Sequence, residues 1–246
     1  MHDFIGLLLA LLTIAAASDL QPALPRLVAQ FERETGHTVR TTFGSSGNLL
    51  AQMRNGAPFD VFLSADIDYP RQLESAGLTE PGTLISYATG TLVLWIPNGS
   101  RADLTRGLEA LTDERVRRIA IANPAHAPYG RAAVAALRKA GLYDRVKAKF
   151  VLGENVSQAA QFVQSGNADV GIVPLSLALS PAMTTTGRYV AVTPALYPPI
   201  EQGAVVLRTS KSKDAARAFL AFLERPDVLK TLADAGFGPP TPRAVR

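Results

Sequence analysis

Small and hydroxyl-bearing residues cluster in four short segments of this chain: Ala17-Ser18-Asp19-Leu20, Phe43-Gly44-Ser45-Ser46-Gly47-Asn48, Ala127-Pro128-Tyr129-Gly130 and Gly153-Glu154-Asn155-Val156. Each follows or ends a run that reads as a strand and opens a stretch with helical periodicity. The start of a helix carries backbone N–H groups without intrahelical acceptors and a partial positive charge, so it attracts an anion. Serine and tyrosine hydroxyls add donors, and Gly44, Gly47 and Gly130 let the backbone come close. None of the four cores contains Lys or Arg, although Arg131 directly follows one. Neutral donors hold an ionised oxyanion by number and shape. They bring no point charge of their own and release the guest when the site opens. The expected guest is a small, compact oxyanion.

Taken singly, each segment has an ordinary structural reading. Ser18 or Asp19 serves as an N-cap, Ser45-Ser46-Gly47 as a cap or turn, Tyr129 as a half-buried loop aromatic, and Val156 as the start of a core-facing helix. What points to binding is their common place between strand and helix, two on each side of an expected cleft. Asp19 is the discordant member, because its carboxylate repels an anion. Its side chain is expected to turn towards the helix cap while its backbone N–H faces the ligand.

The elements that must position these residues follow from hydrophobic patterning. Apolar strands alternate with amphipathic helices almost throughout, which predicts an α/β chain with largely parallel sheets. Strands are expected at 12–17, 39–43, 60–64, 91–96, 118–122, 149–152, 169–173, 189–192 and 204–207. Helices are expected from about Leu20 to Gly36, then over 48–54, 69–76, 131–140 and 156–164, and finally over 214–235 with an interruption at Pro226. Pro25 should distort the first turn of its helix or delay the start. Ser86–Gly90 and Thr193–Pro199 read as crossovers. They divide the chain into a first lobe, residues 1–86 and 195–246, and an inserted second lobe, residues 87–194. Clefts between such lobes receive ligands and close by hinge bending.

Composition excludes several function classes. The chain has 246 residues, 47% of them hydrophobic and 19% charged, enough apolar material for one large domain or two lobes and unlike a disordered chain. The absence of cysteine excludes disulfides, thiolate metal sites and a cysteine nucleophile. The net charge of +4 comes from basic residues diluted along helices, so no nucleic acid is expected. Phe4–Ala17 is apolar apart from Gly6 and Thr13, shorter than the ~20 residues of a membrane-spanning helix, and only Met1, His2 and Asp3 precede it. Ala15-Ala16-Ala17 would pass as a signal cleavage site, yet cutting there removes the first strand. The segment is read as that strand preceded by a shortened or atypical leader, with an intact signal or anchor as the alternative.

Catalysis has little to work with. Ser46 lies in Gly-Ser-Ser-Gly, without the Gly-x-Ser-x-Gly spacing of a nucleophile elbow, and only His37 and His126 could supply a base. His126 is expected to be a solvated loop residue. No phosphate-binding glycine motif appears. Asp60, Asp66, Asp68 and Asp169 show no metal-ligand spacing and are expected to cap and solvate. A regulator built on the same two lobes would need a helix-turn-helix, for which no residues remain before Thr13.

In order, AASDL, FGSSGNL, GAPFDVFLSAD, NPAHAPYG, GENVSQA and GNADVGIVPLS resemble the periplasmic molybdate-binding proteins of molybdate ABC transporters, the ModA family, over roughly Thr13 to Pro239. The resemblance implies a type II periplasmic-binding-protein fold, two-lobed α/β with two crossover strands. It implies a monomeric periplasmic binder, not an enzyme, that needs no cofactor. Such a binder clamps molybdate or tungstate and delivers it to the membrane permease of an ABC importer. It places the contacts to the molybdate oxyanion on Ser18, Asp19, Ser46, Tyr129 and Val156, the last through its backbone N–H. Some members carry a tyrosine after the strand that here reads Gly171-Ile172-Val173. This chain has Pro174 there, which shifts the weight to Tyr129. Another tetrahedral oxyanion such as sulfate is the alternative ligand. Phosphate is disfavoured, because its remaining proton needs an acceptor and only Asp19 could serve.

Overall fold

The computed structural model describes residues 10–242; the leader expected before the first strand lies outside the described residues. The strands, in chain order, are β1 (Leu11–Ala17), β2 (Thr38–Gly44), β3 (Val61–Ser64), β4 (Ile85–Gly90), β5 (Leu92–Pro97), β6 (Ile119–Ala122), β7 (Phe150–Gly153), β8 (Val170–Pro174), β9 (Gly187–Ala191) and β10 (Ile200–Val206). The helices are α1 (Leu24–Thr35), α2 (Ser46–Arg54), α3 (Asp68–Ser75), α4 (Pro128–Lys139), α5 (Tyr143–Val146), α6 (Val156–Gln164), α7 (Leu175–Ala178), α8 (Pro181–Thr186), α9 (Lys213–Leu223) and α10 (Pro226–Asp234). None is long and apolar enough to cross a membrane among the described residues.

Two mixed five-stranded sheets result, ordered β2-β1-β3-β10-β4 and β7-β6-β8-β5-β9. In the first, β1 runs parallel to β2 and β3, with Ala17 beside Gly44 and Ala16 beside Leu63. In the second, β6 runs parallel to β7 with Ala122 beside Gly153. The carboxyl ends of these parallel strands are therefore level, which is where open α/β sheets receive ligands.

Burial follows the pleat. Leu12, Ile14 and Ala16 of β1 pack with Phe31, Phe219 and Phe222 on one face, while Ala15 packs with Leu49, Phe62 and Leu73 on the other. Phe31 meets Phe219 edge-on at 5.1 Å between ring centres. Ala17, at the end of β1, already belongs to the core of the second sheet, whose centre is the fully buried Trp95. The small side chains that end β1 thus bring the two halves into contact at the point where Ser18 begins.

Most expected elements are found, with informative differences. The first helix starts at Leu24, after a 3-10 turn at Ser18–Leu20, and Pro25 occupies its first turn. Ser86–Gly90 is not a free crossover: Ile85–Gly90 is the edge strand of the first sheet, paired with β10 across a bulge at Gln202/Gly203, and the chain changes sheets at Thr91. The expected final strand is longer towards its start, because Ile200–Gly203 pair with β4. Leu104–Thr112 forms 3-10 turns broken at Gly107, and two short helices fill 175–186; neither was expected. Both segments are too short or too irregular to show a helical period.

Candidate functional site

All five residues expected to contact the ligand line one chamber, with Ala17, Gly44, Ser45, Ala65, Ala127, Pro128 and Asn155 completing its wall. The elements explain the convergence. Ser18 follows β1, Ser46 is the first residue of α2, Tyr129 is the second of α4, and Val156 is the first of α6. Three helices thus point their starts at one place, and amides of a first turn lack intrahelical acceptors. Some are already used: Gln158 N–H donates to Asn155 Oδ1 at 3.1 Å within its own turn, and Gly47 N–H to the distant His126 carbonyl at 2.9 Å. Close approach is built in. A β-carbon on Gly130 would lie 2.1 Å from the Ala122 carbonyl oxygen, and one on Gly47 would lie 2.6 Å from that of His126. The chamber is small, ≈ 10 Å³, far below an organic-ligand pocket. A wider open groove of ≈ 380 Å³ runs past Asp66, Arg71, Arg131 and Glu201, but Arg131 is paired there with Asp66 and Tyr69.

The hydroxyls differ in what they have left to give. Ser46 Oγ accepts from Ala65 N–H at 3.0 Å, so its own proton remains available for a ligand. Ser18 Oγ donates to the Gly44 carbonyl at 3.0 Å. Tyr129 is buried, and its hydroxyl accepts from Gln202 Nε2 at 3.1 Å. Burial and the nearby Asp19 push that phenol well above its ordinary range.

Asp19 does not cap its helix as expected. Its Oδ2 accepts from Gln202 Nε2, while Gln202 Oε1 accepts from the Tyr87 hydroxyl at 2.6 Å. The side chain therefore reaches the central strand β10 of the first sheet. Loss of solvent raises its pKa from 3.8 to about 6, against the opposing donors Gln202 and Tyr129.

Several contacts that close the cleft were not expected. His126 is not simply solvated: Nδ1 stands 2.8 Å from Ser45 Oγ, and Nε2 stands 3.7 Å from Glu154 Oε2. Asn48 donates to Glu154. Ser157 donates to the Ser18 carbonyl at 3.2 Å, and Ser176 donates to that of Asp19 at 2.8 Å. The GENVSQA and VPLS strings contain both serines, but only tertiary structure shows what they hold. The serine–histidine pair uses Ser45 rather than Ser46, and its carboxylate neighbour is 59% exposed, so the arrangement is a bridge across the cleft and not a buried triad. The four aspartates without metal-ligand spacing have other partners. Asp60 accepts from Thr13 and Ser210, Asp66 and Asp68 meet Arg131 and Arg71, and Asp169 accepts from the amides of Arg117 and Arg118.

Comparison with known proteins places this geometry. Residues 12–238 match the family model of the bacterial extracellular solute-binding proteins. The molybdate-binding protein ModA of Azotobacter vinelandii is 40% identical over 225 residues, 92% of this chain and 88% of the relative. The ModA protein of Rhodobacter capsulatus is also 40% identical, over 90% of this chain and 85% of its own. The solved structure of the Azotobacter vinelandii periplasmic molybdate-binding protein aligns with a TM-score of 0.88 at 35% identity, covering 94% of this chain and 100% of that one. The chain belongs to the ModA family of bacterial extracellular solute-binding proteins.

Proposed function

We propose that this chain is the receptor component of an ABC importer, which binds molybdate, and tungstate by the same chemistry, in the cleft and presents it to a membrane permease from the periplasm. The observation that carries this reading is the chamber itself. Ser18, Asp19, Ser46, Tyr129 and the start of α6 at Val156 line one small chamber, and the Ser46 hydroxyl keeps its proton free for a guest. Hydrogen bonds from such donors replace the hydration shell of an anion, and the helix starts add favourable partial charge. The lobes of the proposal are the two sheets with their helices, the first completed by β10 and the C-terminal helices. They open and close about the two connections at Thr91 and Val192–Pro199, and the receptor acts as a monomer without a catalytic step. The ModA relatives support the choice of molybdate.

Thermal melts with molybdate, tungstate, sulfate and phosphate test the reading. At 100 times its dissociation constant a ligand raises stability by ~2.7 kcal/mol, and molybdate and tungstate are expected to do so. An equal shift with sulfate overturns the assigned specificity. No shift with any oxyanion overturns the binding function.

A further inference from the structure

The Asp19 carboxyl is the one acidic or basic side chain on the chamber wall. It is fully buried; Oδ2 has its Gln202 donor, whereas Oδ1 has no hydrogen-bond partner. The groups packed around it are uncharged: Gln202 from β10 with Tyr87 of β4 behind it, Tyr129 from α4, and the Ser176 hydroxyl of α7 on its carbonyl. Both tyrosines stay neutral, because burial pushes them well above their ordinary range. Charges on neighbouring elements face other partners: Arg131 of α4 is on Asp66, and Glu154, just before α6, is on Asn48 and beside His126. Only neutral donors, Gln202, Tyr129 and the amides of Asp19 and Leu20, face a negative Asp19; with no positive charge between them, it and a doubly negative guest repel strongly away from water.

We propose that Asp19 takes up a proton from solvent as the oxyanion is bound, so that the chain captures its dianion and one proton together and holds it more tightly as the pH falls. This rests on the oxyanion-binding reading and adds the role of a specificity-determining residue to it. The proton goes to Oδ1, converting a lone acceptor into an O–H donor. No other bond changes, and the proton returns to solvent when the ligand leaves. The free protein is poised for the exchange, since burial already lifts this carboxyl to about 6, and an adjacent anion lifts it further.

Calorimetric titration with sodium molybdate between about pH 6 and pH 8, at fixed ionic strength and in buffers of different ionisation enthalpy, tests it. The dissociation constant is expected to rise by up to about tenfold per pH unit, with close to one proton taken up per molybdate at the alkaline end. Asp19→Asn is expected to bind with a flat profile and no proton uptake. Tight wild-type binding with a flat profile and no proton uptake overturns the role of Asp19 and leaves the receptor reading intact. A slope that persists in Asp19→Asn overturns it as well. Failure of the wild type to bind molybdate at every pH removes the receptor reading and this one with it. Should Asp19→Asn not fold, the wild-type proton count decides alone.

Discussion

Ser45 and His126 meet across the cleft, Oγ to Nδ1 at 2.8 Å, and two residues further on, in the first turn of α2, the Gly47 amide donates to the His126 carbonyl at 2.9 Å. One short loop, 123–127, is therefore gripped twice by the start of α2. Both bonds cross the cleft, so under the proposed hinge motion they favour the closed form. Ser45→Ala and His126→Ala, alone and together, are expected to weaken molybdate binding with a coupling of about 0.5–1.5 kcal/mol between them. Isothermal titration of the four proteins measures the cycle, and strict additivity would remove the contact from the closing mechanism.

Gly47 offers a steric test of the same step. A methyl group there would sit 2.6 Å from the His126 carbonyl oxygen, while leaving the chamber donors unchanged. Gly47→Ala is expected to melt close to the wild type without ligand and to lose most of the molybdate-induced stabilisation. Small-angle scattering with and without molybdate reports whether compaction is lost too. A normal ligand response would show that the two halves bind without coming this close.

Ser46 carries the free hydroxyl proton of the site. Its removal in Ser46→Ala is expected to cost about 1.5–3 kcal/mol of binding, roughly 10- to 150-fold in affinity, the range for hydrogen bonds to charged groups. Calorimetry at one pH suffices, and unchanged affinity would place the anion elsewhere.

Asp19 also has a stability signature in the absence of ligand. A carboxyl whose folded pKa lies above its unfolded value stabilises the fold below the unfolded value and loses that contribution as the pH rises through the folded one. For a rise from 3.8 to about 6, the loss is about 3 kcal/mol between about pH 4 and pH 7. Asp19→Asn removes it, so the stability of the variant relative to wild type is expected to climb by that amount over this window and then level off. Urea unfolding at a series of pH values measures the difference, in which the other carboxylates cancel. A difference independent of pH would mean that Asp19 ionises normally.

Local pattern made much of this molecule readable. The helix Val156–Gln164 begins and ends where its period of apolar residues does, and the junctions Ala17-Ser18 and Phe43-Gly44-Ser45 fall at the strand ends they were expected to occupy. The five residues expected to contact the ligand came from the family resemblance, and the local pattern accords with it because each lies at a strand–helix junction, a feature written in neighbouring residues. Gln202 was not legible, since it sits between Glu201 and Gly203 ahead of the apolar run of its strand and gains meaning only from Asp19, Tyr87 and Tyr129, each more than 70 positions away. His126 escaped for the same reason: its partner Ser45 lies 81 positions off. Ser86–Gly90 was read as a crossover without its pairing to β10, because an edge strand of polar and small residues lacks the apolar signal of its buried neighbours.

The placement of β10 has a consequence for how the molecule is made. That strand lies between β3 and β4, yet it is translated after the whole second sheet. Until residues 200–206 emerge, β4 has no strand to join and the sheet that holds Ser18 and Ser46 has a gap in its middle. The inserted half, by contrast, has all its strands within one continuous stretch and can assemble first. The half that holds Ser18 and Ser46 is thus the last to be sealed, by a strand that follows the final strand of the other half within a few residues.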